Sequence, residues 1–247
     1  MDTMDNHQHA WLSEVLPSAA RRVLDAGCGR GDLAAELVRR GHEVTAIDIS
    51  TEAVEAARAA GVPALRADIT TYPVPGDGLG DDVGSLFDAV VMSLSLHHMH
   101  PLDAALDRVS ALLKKGGLVI VDEFAWDWAD RAAAAWFYDA GSLLAAAGVA
   151  DFPREPGSPG RDPVERWREA HLDHTPAADM LAALAQRLEI TSLRREPYLS
   201  RYIGGYVSRK VMNSTAEVIN ELWRIERARI SAGTLPLTGF RLTARKM

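Results

Sequence analysis

Short apolar runs alternate with amphipathic stretches through the first half of the chain. RVLDA (22–26) is an apolar run that ends at a turn holding Gly27, Gly29 and Gly31. In DLAAELVRR (32–40), Leu33, Leu37 and Val38 recur at helical spacing, and Gly41 stops the pattern. EVTAID (43–48) predicts a strand, Ser50 is placed to cap a helix over 51–60, and VPALRA (62–67) predicts a third strand. A long loop rich in glycine, proline and aspartate (70–85) leads to a fourth strand, FDAVVMS (87–93). The amphipathic stretch PLDAALDRVSALLKK (101–115) is closed by Gly116-Gly117 and followed by a fifth strand, LVIVDEF (118–124). Strands and helices that alternate in this way build a parallel sheet covered on both faces.

After Phe124 the pattern changes. Residues 126–147 predict alanine-rich helix crowded with Trp126, Trp128, Trp136, Phe137 and Tyr138, and the breaker-rich stretch 151–163 predicts a flexible connection. Thr175-Pro176 predicts a helix start with Thr as cap and Pro in the first position. ITSLRREPYLS (190–200) and the closing LTGFRLTARKM resume strand character. Between them, Ser214 and Glu217 have capping-box spacing ahead of a helix with Val218, Leu222 and Ile225 on one face.

Composition narrows the class. The chain has 247 residues, enough for one large domain, and 47% of them are hydrophobic. A net charge of −7 gives nucleic acid no general electrostatic reason to bind. Cys28 is the only cysteine, so no internal disulfide forms and a reducing cytoplasm is the expected location. No apolar run approaches the roughly 20 residues that span a bilayer, and the N-terminal residues lack a basic-then-apolar leader pattern, so no membrane is expected.

The glycine turn raises the question of its ligand. A dinucleotide fingerprint requires a last glycine where this chain has Asp32, and Asp25 also stands beside the turn. Two carboxylates repel a pyrophosphate, whereas a ligand carrying an ammonium and a sulfonium but no phosphate suits them. Asp48 ends the second strand, where a carboxylate can accept both hydroxyls of an adenosine ribose. Asp68-Ile69 follows the third strand and offers an acceptor and an apolar side to an adenine. Three strands each end in aspartate at one edge of the sheet.

VLDAGCGRG, VTAIDIS, ALRADIT, FDAVVMSLSLHHM and LLKKGGLVIVDEF, in that order and spacing, resemble the successive motifs of the class I S-adenosylmethionine-dependent methyltransferases. The resemblance runs from about residue 20 to 124. It implies a Rossmann-like α/β fold, a three-layer αβα sandwich whose seven-stranded sheet has the order 3-2-1-4-5-7-6 with the last strand antiparallel. It implies S-adenosylmethionine as cofactor, with Asp25, Gly27 and Gly29 lining its methionine moiety, Asp48 and Ile49 its ribose, and Asp68 and Ile69 its adenine. Ser93 and Leu94 are placed beside the sulfonium. The expected organisation is a single domain over 1–247, with 1–124 as the cofactor-binding half and 125–175 and 200–232 as substrate-cap insertions.

Methyl transfer gains from proximity, alignment and exclusion of water, and needs a base only when the nucleophile carries a proton. His97 and His98, after the fourth strand, are the candidate bases, and the alternative for both is shaping the loop. Asp122-Glu123 closes the fifth strand, so one of the two carboxylates, taken as Glu123, is expected to face substrate. The segment from Phe124 to Tyr138 holds six of the sixteen aromatic residues, a density that suits either core packing or an acceptor pocket. Trp126, Tyr138, His171 and Tyr202 are the candidate acceptor contacts. His171 and His174 lack an evident third ligand, and no metal is expected. The predicted activity is methyl transfer to oxygen or nitrogen of a small organic acceptor by a monomer or homodimer. The alternatives are a protein or RNA methyltransferase, and a scaffold such as a cyclase that binds the same nucleotide without transferring methyl.

Overall fold

The structure is a computed structural model and describes residues 4–75, 86–153, 160–207 and 215–247. Seven strands form one sheet: β1 (Arg22–Ala26), β2 (Glu43–Asp48), β3 (Ala64–Arg66), β4 (Phe87–Ser93), β5 (Leu113–Phe124), β6 (Glu189–Glu196) and β7 (Gly239–Arg245). Their order is β3-β2-β1-β4-β5-β7-β6, as the resemblance implies. The pairs β1–β2, β1–β4, β2–β3 and β4–β5 are parallel. Gly116 N–H donates to the Lys246 carbonyl at 3.0 Å and Ala125 N–H to the Thr238 carbonyl at 2.9 Å, so β7 runs antiparallel to β5.

The helices are α1 (Met4–Val15), α2 (Asp32–Arg39), α3 (Thr51–Ala59), α4 (Leu102–Leu112), α5 (Arg131–Ala146), α6 (Pro163–Glu169), α7 (Ala177–Arg187), α8 (Leu199–Gly204) and α9 (Thr215–Ser231). Two compact units emerge. The sheet unit comprises Leu12–Glu123, Thr175–Arg194 and Arg241–Met247, and the helical unit Met1–Trp11, Phe124–His174 and Arg195–Phe240.

In the sheet unit, β1 and β4 are central and buried on both faces, which is why AVVM reads as an unbroken apolar run and VLDA as one broken only by Asp25, rather than as alternating patterns. Helix α2 buries Ala34 and Leu37, and its buried Glu36 pairs with Arg39 and Arg40. Ser50 caps α3 as predicted, its Oγ accepting from Ala53 N–H at 3.2 Å.

Three local expectations are corrected. The helix predicted to run through Lys115 stops at Leu112, because Leu113 is buried opposite Phe87 and the Lys114 amine reaches Asp88 at 2.5 Å. Gly116-Gly117 therefore lies inside β5, within an irregularity of the β4–β5 register between Leu113 and Leu118, rather than closing a helix. Thr175 is not the cap of α7: Pro176 occupies that position without a side-chain bond, and Thr175 N–H donates to the His97 carbonyl at 2.9 Å. The strand predicted through Ser200 ends at Glu196, before Pro197, and Leu199 begins α8. The capping Ser214 lies outside the described residues, as does most of the loop 70–85; Ile69–Thr71, at its edge, is a short 3-10 turn.

The helical unit is built on aromatic packing. Phe124 stacks on Tyr198 with ring centroids 4.3 Å apart, and Trp167 stands edge-on to Phe124 and Phe137 at 5.7 and 5.0 Å. Glu226 of α9 is fully buried and accepts the backbone N–H groups of Tyr198 and Leu199 at 2.9 Å and of Ser200 at 2.8 Å. It thereby supplies the N-terminus of α8 with the acceptors that a short helix lacks.

Candidate functional site

Because β1 to β5 are parallel, their C-terminal ends share one edge of the sheet, and the candidate residues gather there. Asp25 lies one residue before the end of β1, flanked in register by Ala46 and Val91. It is 1% exposed and neither carboxylate oxygen has a hydrogen-bond partner. Burial, and then the charge of Asp48, push its pKa up to about 7. A carboxylate in that state is an incomplete site.

The glycine turn follows. Gly27 N–H and Cys28 N–H both donate to the Ile47 carbonyl, at 2.8 and 2.9 Å, which ties the turn to β2. Gly27 has φ +79° and a Cβ placed on it would lie 2.3 Å from Ser95 Cβ, so no other residue fits. Gly29 has φ +53° and nothing within 4 Å of the corresponding position, which leaves its backbone open to a ligand. Burial, then Asp25 and Asp48, hold the Cys28 thiol up at about 12, so it stays protonated and unreactive.

Asp48 is itself fixed by the turn. Its Oδ2 accepts from Gly29 N–H and its Oδ1 from Ser50 N–H, both at 2.9 Å. Each oxygen keeps a further lone pair for a ligand hydroxyl. Ile49 is 66% exposed beside it, an apolar side chain presented to solvent. Asp68 is exposed and caps the following turn, its Oδ1 accepting from both Thr70 N–H and Thr70 Oγ–H at 2.8 Å, while Ile69 is buried.

At the end of β4, Ser93 is half-buried and Leu94 adopts φ 57°, the left-handed region that a branched side chain seldom occupies. Leu94 N–H still donates to the Asp122 carbonyl at 2.9 Å, and the turn sends 96–98 back across the strand ends. His97 is 4% exposed, whereas His98 is exposed, and their ring centroids lie 4.0 Å apart. His97 Nδ1 is 2.5 Å from Glu123 Oε1, and Glu123 Oε2 accepts the backbone N–H of Leu96 at 2.7 Å and of His97 at 3.4 Å.

Glu123 is therefore a correction. Expected to face substrate, it is 0% exposed and bound inward to the turn that carries the histidines. Its neighbour Asp122 points to the other face of β5 and is also buried, with Arg241 Nε of β7 at 3.3 Å.

The remaining candidates belong to the helical unit. Trp126 stacks on His171 with planes 7° apart and centroids at 5.9 Å, and His171 lies 5.6 Å from Tyr202. His171 is buried, its Nδ1 2.6 Å from the Trp167 carbonyl. Burial, then Tyr206, push the Tyr202 phenol well above its ordinary range, so it remains neutral. Tyr138 carries the Arg166 guanidinium 3.7 Å above its ring. Trp126, His171 and Tyr202 are thus brought together, and Tyr138 joins the same aromatic cluster through Phe137 and Phe152.

Ser95 was missed by sequence reasoning. It is buried against Gly27 and its Oγ donates to the Ala26 carbonyl at 2.8 Å, locking the β4 turn to the β1 turn. Only its position two residues past the strand marked it.

A family profile described as a methyltransferase domain matches residues 5–156. An uncharacterised methyltransferase of Mycobacterium bovis is 40% identical over 122 residues, 48% of this chain and 58% of that protein. A ubiquinone biosynthesis O-methyltransferase of Paracidovorax citrulli is 33% identical over 109 residues, 44% of this chain and 46% of that protein. The chain thus aligns with only about half the length of these relatives. Among solved structures, an S-adenosylmethionine-dependent methyltransferase from Mesorhizobium loti superposes with a TM-score of 0.55 at 18% identity, covering 96% of each chain. The 4+2 cyclase SpnF gives 0.58 at 21% identity, covering 98% of this chain and 80% of its own, and at such identities the likeness is one of fold. With the profile spanning more than half its length and the sheet order that fold requires, the chain belongs to the methyltransferase-domain family, of the class I S-adenosylmethionine-dependent type.

Proposed function

We propose that this protein transfers a methyl group from S-adenosylmethionine to oxygen or nitrogen of a small organic acceptor. The observation that carries the reading is Asp25: a buried carboxylate without a partner, beside an open glycine backbone and a second carboxylate. An α-ammonium group answers it with both charge and hydrogen-bond donors, and an anionic ligand does not. When bound, the cofactor supplies a methyl group made electrophilic by its sulfonium. Asp25, Gly27 and Gly29 would hold its amino-acid end, Asp48 and Ile49 its ribose, and Asp68 and Ile69 its adenine, with Ser93 and Leu94 on the sulfonium side.

His97 takes the proton that an acceptor hydroxyl or amine loses as its bond to the methyl carbon forms, and His98 lines the same turn. Trp126, Tyr138, His171 and Tyr202 are the proposed acceptor contacts, within the expected cap segments 125–175 and 200–232. A flat ring suits these aromatic walls, and the O-methyltransferases among the relatives support oxygen as the attacked atom. The reaction runs in a reducing cytoplasm, where a protonated lone cysteine needs no protection.

The test has two stages. Calorimetry with S-adenosylhomocysteine should give micromolar or tighter binding. A labelled-methyl assay against phenols, catechols and aromatic amines should then transfer label to at least one of them. Absence of nucleoside binding overturns the whole reading; binding without transfer to any acceptor leaves a nucleotide-binding scaffold instead.

A further inference from the structure

We infer that Glu123 is a positioning residue that fixes the tautomer of His97, placing the proton on Nδ1 and making Nε2 the basic nitrogen. The inference rests on the proposed role of His97 but is decided by a measurement that needs no acceptor.

Glu123 ends β5 with its side chain fully buried, and an ionised carboxylate only accepts hydrogen bonds. Its Oε2 is taken by two backbone donors, Leu96 N–H at 2.7 Å and His97 N–H at 3.4 Å. Both belong to the turn that presents the imidazole, so one side chain fixes the backbone and the ring of the same residue. Its other oxygen, Oε1, lies 2.5 Å from His97 Nδ1. That contact is a hydrogen bond only if Nδ1 carries the hydrogen, and a neutral imidazole then has its lone pair on Nε2. A second anchor comes from α7: Thr175 N–H donates to the His97 carbonyl at 2.9 Å. The residue is thus fixed at its N–H, its C=O and one ring nitrogen.

The same geometry dictates what an amide in place of the carboxylate would do. In Glu123→Gln the two backbone N–H groups still require an acceptor, so the amide oxygen must face Leu96 and His97. The amide NH2 then faces Nδ1, which becomes an acceptor, and the ring proton moves to Nε2. Shape and hydrogen-bond count survive, while the basic nitrogen changes place. An equivalent asparagine-for-aspartate change in a catalytic triad keeps its geometry and loses activity through the wrong tautomer.

The experiment uses the full chain with histidines labelled in 15N, saturated with S-adenosylhomocysteine, and reads two-bond 1H–15N correlations, assigning His97 by its loss in His97→Ala. Unsubstituted protein should show the Nδ1–H pattern at high pH, and Glu123→Gln the Nε2–H pattern, with nucleoside affinity within about twofold of the parent. An Nε2–H ring in the unsubstituted protein overturns the inference, and that spectrum decides even where the variant fails to fold. An unchanged tautomer in a folded Glu123→Gln also overturns it. Failure of both proteins to bind the nucleoside sinks the methyl-transfer reading instead, and the tautomer is then read on the unliganded chain.

Discussion

Asp25 concentrates the energetics of the site in one residue. Its pKa of about 7, against 3.8 for an ordinary aspartate, means that the native protein keeps a proton that the unfolded chain has lost. Stability therefore falls as pH rises from about 4 to 7, by roughly three pKa units, on the order of 4 kcal/mol. Above that window the ionised carboxylate is a standing cost to the empty protein, relieved when a cation binds. Asp25→Asn should accordingly raise the melting temperature of the ligand-free protein at pH 8 and leave it little changed at pH 4. The same variant should weaken S-adenosylhomocysteine binding at least tenfold by calorimetry. A variant that is no more stable at pH 8 would show that the native carboxyl is not held near pH 7.

As the proposed base, His97 should bear on rate. His97→Ala should lower kcat about a hundredfold or more, the scale of general-base help, with nucleoside affinity nearly intact. If Glu123 acts through His97, adding Glu123→Gln to His97→Ala should cost little further rate, since the two form one unit. Steady-state kinetics on the first acceptor found gives the answer, and full retention of kcat in His97→Ala would leave proximity alone as the source of rate.

At the scale of elements, α8 depends on a residue far away in sequence. Six residues make a poor helix, and Glu226 accepts the N–H groups of the three residues at its start. Glu226→Ala leaves those donors buried without an acceptor and should cost about 3 kcal/mol or more, read from urea unfolding. Glu226→Gln keeps one acceptor oxygen and should cost less.

Such dependences separate what was legible in the sequence from what was not. The strand tips Asp25, Asp48 and Asp68 were legible because each follows its own apolar run, a local signal. The cap by Ser50 was legible because donor and acceptor are three residues apart. Glu226 could not be read, its partners lying 26 to 28 residues away on another helix. Glu123 was read with the wrong orientation: strand parity predicts that it and Asp122 face opposite ways, but not that both faces are buried. The end of α4 failed for a similar reason, since Leu113 and Lys114 carry helical propensity and tertiary partners in β4 override it.

At the scale of the whole molecule, fold class and sheet order followed from motif order, while the division into two units did not. Each unit draws on three separate stretches of chain, so the path crosses between them five times. No single cut frees either unit. The expected cap segments 125–175 and 200–232, Thr175 excepted, share their unit with Met1–Trp11, a stretch whose sequence carried no hint of it.

The position of β7 has a consequence for how the protein is made. Gly239–Arg245 is the seventh strand in synthesis but takes the sixth place in the sheet, between β5 and β6. While a ribosome is still making the preceding segments, β5 has an open edge and β6 has no neighbour at all. An exposed row of unpaired amides beside the apolar run LVIV is a template for wrong pairing between nascent chains. Chains stalled before Gly239 should therefore aggregate or recruit chaperones, while those stalled with Arg245 clear of the exit tunnel should resist protease like the finished protein. Pulse proteolysis of such arrested chains would time the event, and early protection without β7 would show that the sheet can close in another order.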